Sequence, residues 1–331
     1  MALISSQLRS RLEATHKIAI DLVGYLLGGA PFRIHPEADG GEVYPVDLGY
    51  FLRREWRYFE PKDALGIPLR RFPDREPQYV PTRVAAYGLA RFNRYLERGN
   101  AADREAFLRV ANWFMRPEDA LWRYTFDRGR LKAPWISAMA QGQGMSVLVR
   151  AWRTTGEARY LEQARRATAP FHTPLAAGGL RSSIEGRCAF WEEYPEDPPV
   201  HVLNGFLFAL IGILELAPHA NDAPRLARAM GSALERCVDF WDLGYWSTYD
   251  LAHRTHGRVN PATIAYHRLH IAQLSYLGRR LGSSKLLATA ARWEGYARDP
   301  RARLRAMWEK VRLRAHRPAP NRAGSDGGVK S

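Results

Sequence analysis

From about residue 82 the chain repeats one pattern four times: an apolar stripe of helical period, a connector of a few turn residues, and a second stripe. The spacing predicts helix pairs at 83–96 and 102–114, 137–153 and 157–169, 203–216 and 223–241, and 263–281 and 284–297. Within the pairs the connectors hold Gly99-Asn100, Gly156, His219-Ala220-Asn221-Asp222 and Gly282-Ser283, residue types that end helices and turn the chain. Between the pairs the connections are much longer, at 115–136, 170–202 and 242–262. The pairs start at uneven intervals, which excludes a uniform solenoid. The pattern fits a mainly α fold, an (α/α) toroid or an incomplete toroid of helix hairpins. In such an array every short turn lies at one end and every long connection at the other. Long connections in a compact domain usually carry function.

Residues 30–82 break this pattern. They are rich in Pro and Gly and carry short aromatic runs, Tyr50-Phe51-Leu52 and Trp56-Arg57-Tyr58-Phe59. They read as short strands or an extended arm covering one end of the helical domain. Three units follow: an N-terminal helix with an irregular or β arm at 1–81, the helical domain at 82–316, and a tail at 317–331. The tail has no apolar period and is expected to be disordered. At about residues 6–27 an amphipathic helix is expected, and its apolar patch is broken by Asp21. That patch is too short to span a bilayer and lacks a signal-type cleavage site. The expectation is therefore no transmembrane segment and a cytoplasmic location, with membrane-surface attachment through this helix as the alternative.

With 331 residues, 46% of them hydrophobic, the chain can bury a substantial core. Its formal net charge of +15 comes from 49 Lys and Arg against 34 Asp and Glu. Arg dominates, and its planar fork suits carboxylates, sulfates and phosphates. An acidic polymer is thus an expected partner, although a GC-rich genome gives the same Arg-rich bias. Nucleic acid is not expected, because the basic residues are spread along the chain and no recognised module is present. Cys188 and Cys237 are isolated and have no metal-ligand spacing. A disulfide between them is open, with no local support. The 10 His residues form only two close pairs, His253 with His256 and His267 with His270, and no His-Glu-x-x-His pattern occurs. No metal or other cofactor is expected.

Four segments sit in the long connections or in the helix turn that follows. They are Trp135-Ile136-Ser137-Ala138-Met139-Ala140-Gln141-Gly142-Gln143-Gly144, Glu192-Glu193-Tyr194-Pro195, Tyr249-Asp250-Leu251 and Tyr266-His267-Arg268-Leu269-His270, with Val202-Leu203-Asn204-Gly205-Phe206 between the second and third. The glycines let a polymer or a backbone approach closely. Tyr beside Glu, Arg and His offers both proton donors and acceptors. Each residue also has a plainer use. A Tyr before Pro packs an extended loop, Tyr249 suits an aromatic strand, and Tyr266 can staple a helix start. Gln141 and Gln143 can cap local backbone.

In this order the segments resemble the catalytic C-terminal region of the D-glucuronyl C5-epimerase family, which inverts C5 of glucuronate in heparan-type polysaccharides. The resemblance covers roughly residues 80–300 and is strongest over 134–270. It implies that Tyr194, Tyr249 and Tyr266 are catalytic, with Glu193 the acid beside the first. The substrate contacts it points to are Tyr87, Gln141, Gln143, Glu193, Asn204, Arg187, Arg254, His267 and His270. Two positions depart from the family pattern. Ala86 stands where Gln precedes Tyr-Gly-Leu, and Ala252 stands where the animal enzymes carry Arg after Tyr-Asp-Leu. The carboxylate clamp is then left to Arg254, Arg258, Arg187 or Arg268. A lyase on the same scaffold shares the C5 proton abstraction. A glycoside hydrolase needs two opposed carboxylates, for which Glu192, Glu193 and Asp250 are available. An inactive glycan-binding protein is the non-enzymatic alternative. A homodimer is compatible with the sequence.

Overall fold

The computed structural model of the chain describes Tyr25 and residues 32–315. Apart from Tyr25, the expected helix at 6–27 lies outside the described residues, as does the tail at 317–331. The fold is mainly α. Four helix hairpins are formed by α1 (Pro81–Arg98) with α2 (Ala101–Phe114), α3 (Ala138–Thr155) with α4 (Ala158–Arg166), α5 (Leu203–Leu216) with α6 (Ala223–Cys237), and α7 (Ile264–Leu281) with α8 (Ser284–Arg298). A further helix, α9 (Pro300–Ala315), packs on α8. Gly99, Gly156 and Gly282 close α1, α3 and α7 in the left-handed conformation, while Asn100 and Ser283 cap the helices that follow two of them.

The first helices of the hairpins pack in chain order, α1 on α3, α3 on α5 and α5 on α7, and each second helix covers its own partner. In the middle of this row α5 is apolar on nearly every side, as a helix surrounded by others must be. The α3–α5 contact is very close. A Cβ on Gly142 would lie 2.5 Å from Ala209 Cα, and one on Gly212 would lie 2.2 Å from the Gly142 carbonyl oxygen. Gly142 thus admits the backbone of a neighbouring helix, not a polymer. Further along the same interface, buried Arg150 of α3 donates to both carboxylate oxygens of Glu215 of α5 at 2.8 Å, and to the Val43 carbonyl at 3.0 Å.

The arm runs from α1, touched by the helical turn Gly49–Leu52, to α7, touched by the turn Ala38–Gly40. It therefore spans the two ends of the helix row. The runs around Tyr50 and Trp56 form short helical turns, Gly49–Leu52 and Glu55–Tyr58, and not strands. Folding back in this way lets the Phe51 and Tyr58 rings meet edge-on at 4.8 Å. The strands of the arm come later, as the antiparallel pair β1 (Arg70–Phe72) and β2 (Arg75–Gln78). A second pair, β3 (Arg181–Ile184) and β4 (Cys188–Trp191), lies in the 170–202 connection. A Cys188–Cys237 disulfide ties β4 to the end of α6. Among the described residues, no helix is long and apolar enough to cross a membrane.

Candidate active site

A cleft of about 370 Å³ opens where the first helices, the arm and the long connections meet. Its wall takes Arg83 and Ala86 from α1, Gln143 from α3, Asn204 from α5 and Tyr266 from α7. The connections add Arg128, Trp135, Glu193 and Tyr194, and the arm adds aromatic side chains and Arg70.

Just past β4, two successive acids turn to opposite sides. Glu192 is spent inside the protein: it accepts from Ser182 Oγ at 2.5 Å and from the His201 amide at 3.0 Å, and pairs with His201 Nδ1 at 2.6 Å. Glu193 faces the cleft. Room for it is made by Gly205, where a Cβ would lie 2.5 Å from the Glu193 Cβ. Asn204 Nδ2 donates to its carboxylate at 3.3 Å, and the Tyr194 hydroxyl pairs with it too. Burial disfavours the charged form and raises the Glu193 carboxyl from 4.5 to about 7, against the smaller opposing pull of Tyr194, Arg128 and Asn204. Among the lining residues described, Glu193 is the one acid.

The three tyrosines come from three different segments. Tyr249 lies on an extended stretch, its amide donating to the Asn260 carbonyl at 2.8 Å and its carbonyl accepting from the Leu203 amide at 3.3 Å. Tyr266 stands in the first turn of α7, which is capped by Thr263. The Tyr249 and Tyr266 rings meet edge-on at 4.8 Å, so Tyr249 backs the lining residue Tyr266. Tyr194 lies 6.1 Å from the Trp135 ring, which itself stacks on Tyr124 at 3.9 Å. Burial first, then the charge of Glu193, pushes the Tyr194 and Tyr249 phenols well above 10 and Tyr266 up to about 12. At neutral pH all three are proton donors, and Glu193 is the group poised to accept.

The cations of the cleft are not the arginines singled out from the sequence. Arg254 is held by Glu185 and lies over Phe240, Arg268 pairs with Glu294, and Arg187 and Arg258 are exposed outside the lining. In their place stands Arg128, whose guanidinium carbon sits over the Tyr194 ring. Two isolated bridges, Tyr124 with Trp135 and Arg128 with Leu131, fold the 115–136 connection into the narrow loop that presents it. Sequence reasoning missed Arg128 because it sought a replacement for Ala252 among Arg187, Arg254, Arg258 and Arg268. The available signal was its place in a long connection between Tyr124, Phe126 and Trp135.

Other expected contacts divide. Gln143 and Asn204 line the cleft, and their side-chain oxygens are buried without a partner in the protein. Gln141 is turned away and fully buried. It accepts from the Trp122 amide at 3.0 Å and donates to the Ala120 carbonyl at 2.9 Å, which pins the connection that carries Arg128. Tyr87 is packed against Phe59 at 5.1 Å and lies outside the lining, whereas Ala86 faces the cleft. His267 and His270 are buried behind the wall. Both share Ser247 Oγ, at 2.8 and 3.0 Å, and His267 stacks on Trp246 at 3.7 Å. Burial lowers both rings, His270 to about 3, so they stay neutral and structural. Asp250 is engaged by Asn260 at 2.5 Å and lies outside the lining. The opposed carboxylate pair of a hydrolase is therefore not assembled in this cleft. Among the described residues no cluster of His, Cys, Asp or Glu could hold a metal ion.

Residues 116–295 match the model of the D-glucuronyl C5-epimerase C-terminus, more than half of the chain. A D-glucuronyl C5-epimerase of Caenorhabditis elegans is 34% identical over 221 residues, which covers 60% of this chain and 36% of that protein. An uncharacterized protein of Methanocaldococcus jannaschii is 29% identical over 181 residues, 52% of this chain and 56% of its own length. The chain thus spans little more than a third of one relative and just over half of the other. The match runs through the connections that carry Arg128, Glu193, Tyr194 and Tyr249 and through Tyr266, and the chain belongs to the D-glucuronyl C5-epimerase C-terminal family.

Proposed function

We propose that this chain inverts C5 of glucuronate residues within an acidic polysaccharide. The observation that carries the reading is one buried carboxyl, Glu193, held at about 7 beside protonated phenols and Arg128. A group with that value is near its ideal as an acid–base catalyst at neutral pH.

Inversion removes the C5 proton from one face and returns a proton to the other. In this reading Glu193 takes the proton. The electron pair of the broken C–H bond moves into the uronate carboxylate as an enolate-like dianion, and Arg128 with the phenol hydroxyls stabilises that charge. The Tyr266 phenol, which lines the cleft without pairing with Glu193 and is backed by Tyr249, then gives its proton to C5 from the opposite face. Glu193 then gives up to water the proton it took, and the phenolate takes one back from water, which restores both groups. Gln143 and Asn204 hold sugar hydroxyls, while Ala86 leaves one wall without a polar contact. Residues 82–316 form the catalytic unit, and the arm within 1–81 completes its wall.

Incubation with heparosan in deuterated water, followed by NMR, tests the reading. Deuterium at C5 together with iduronate is expected. A 4,5-unsaturated uronate would assign the site to a lyase, and unchanged glucuronate without deuterium would contradict the proposal.

A further inference from the structure

Arg70 and Arg83 each face two ways. They line the cleft, and with Trp56, Arg57, Glu60 and Arg71 they also line a groove on its outer side. All of these residues come from the arm or the start of α1, outside the segment matched to the family model. The groove is built in an unusual way for a free surface. Trp56 is 74% exposed, although a ring of that size is normally covered. Among the described residues, Arg57, Arg70, Arg71 and Arg83 form no ion pair with a carboxylate, whereas nearby Lys62 and Arg91 are held by Glu55. Glu60 is engaged by Lys62 at 3.2 Å, which leaves the groove positive. Arg83 has a buried Nε without a partner, and one of its terminal nitrogens reaches only the Glu60 carbonyl at 3.4 Å. Burial, and then the charge of Arg70, lower Arg83 to about 10. Two guanidinium groups crowded without a counterion are relieved by an anion.

We propose that this groove is a second sugar subsite, which binds the anionic group of a neighbouring residue in the polymer whose reacting uronate occupies the cleft. The proposal rests on the function given above and adds where the chain runs on leaving the cleft. The arginines supply bidentate donors for a carboxylate or a sulfate ester. The exposed face of Trp56 packs against the apolar C–H face of a sugar ring. Arg70 and Arg83 stand on the boundary, so one continuous basic wall serves both sites.

The test compares a uronate trisaccharide, which fills the cleft alone, with an octasaccharide in non-sulfated and sulfated forms. Affinity by calorimetry and C5 deuterium exchange are both measured, on wild type, Trp56→Ala and Arg57→Ser/Arg71→Ser. These substitutions are at exposed positions, and trisaccharide affinity serves as the folding control. Wild type is expected to bind an octasaccharide about tenfold or more tighter than the trisaccharide, with most of that gain lost in both variants. A gain with the non-sulfated octasaccharide assigns the contact to a carboxylate, and a gain confined to the sulfated form assigns it to a sulfate. Equal affinity for both lengths, a gain retained in the variants, or no binding at all overturns the subsite. If the gain is present and lost in the variants but exchange is absent throughout, the subsite stands and the proposed reaction falls. If exchange occurs without any length dependence, the reaction stands and the subsite falls.

Discussion

The guanidinium carbon of Arg128 lies 3.4 Å from the centre of the Tyr194 ring. That stack places a positive charge beside the phenol and the adjoining Glu193, and the proposed reaction assigns it the role of carboxylate clamp. It also supplies a cation at the cleft although position 252 is Ala. Arg128→Ala should therefore lower kcat/KM for C5 exchange by roughly 10²-fold, as for loss of a donor to a developing oxyanion. Arg128→Lys should recover only part, since Lys cannot stack or bind bidentately. Steady-state exchange rates check this, and wild-type kinetics in the Ala variant would remove Arg128 from the mechanism.

Glu193 also leaves a mark on stability. Its carboxyl sits at about 7 in the folded chain, above its ordinary 4.5. The folded state therefore holds this proton more tightly than the unfolded state does. The resulting stability is fully present below about pH 4.5 and is lost as the pH rises through 7. A shift of this size corresponds to about 3 kcal/mol. Glu193→Gln should flatten the decline between pH 5 and pH 8 by an amount of that order. Denaturant midpoints for the two proteins at both pH values measure it, and parallel pH curves contradict it.

The α3–α5 contact predicts a sharp steric limit. Gly142→Ala and Gly212→Ala each push a methyl group into facing backbone, at 2.5 and 2.2 Å. Backbone cannot rotate away as a side chain can, so each should cost about 1–3 kcal/mol or more. A fall in Tm for both, beside a Gly295→Ala control that keeps or raises Tm because its Cβ meets nothing within 4 Å and Ala favours the helix, is the expected result.

Arg150 and Glu215 are both buried, and each is satisfied chiefly by the other. Removing one leaves an uncompensated charge, so Arg150→Ala should destabilise by about 3–5 kcal/mol. Replacing both partners with apolar residues should restore much of that loss. A double-mutant cycle in denaturant decides, and equal losses in the single and double variants would contradict the pairing argument.

The helices were legible because their apolar stripes have a clear period and their ends carry Gly99, Gly156 and Gly282. The gathering of long connections at one site was legible for the same reason. What stayed hidden depended on which way a side chain turns in irregular backbone. Glu192 and Glu193 are neighbours of the same type, yet one is spent on Ser182 and His201 while the other faces the cleft. Gln141 and Gln143 are two positions apart on a helix and so point to different sides, one pinning a loop and the other lining the cleft. The His267 and His270 pair looked chemical and proved to be packing, because Ser247 and Trp246 take up both rings. The aromatic runs of the arm lacked any periodic signal, so the short helical turns they form were not marked in the sequence.

The proton-transfer account is tested most directly by C5 deuterium exchange on a glucuronate polymer, comparing wild type with Glu193→Gln, Tyr249→Phe and Tyr266→Phe. Phe substitution removes only a hydroxyl, and Gln keeps the shape of Glu, so the fold is preserved and the chemistry is isolated. Wild type should exchange. Glu193→Gln should lose a factor of roughly 10²–10⁴, and at least one of the Phe variants should lose a similar factor. Exchange at near wild-type rates in Glu193→Gln and in both Phe variants would contradict the account.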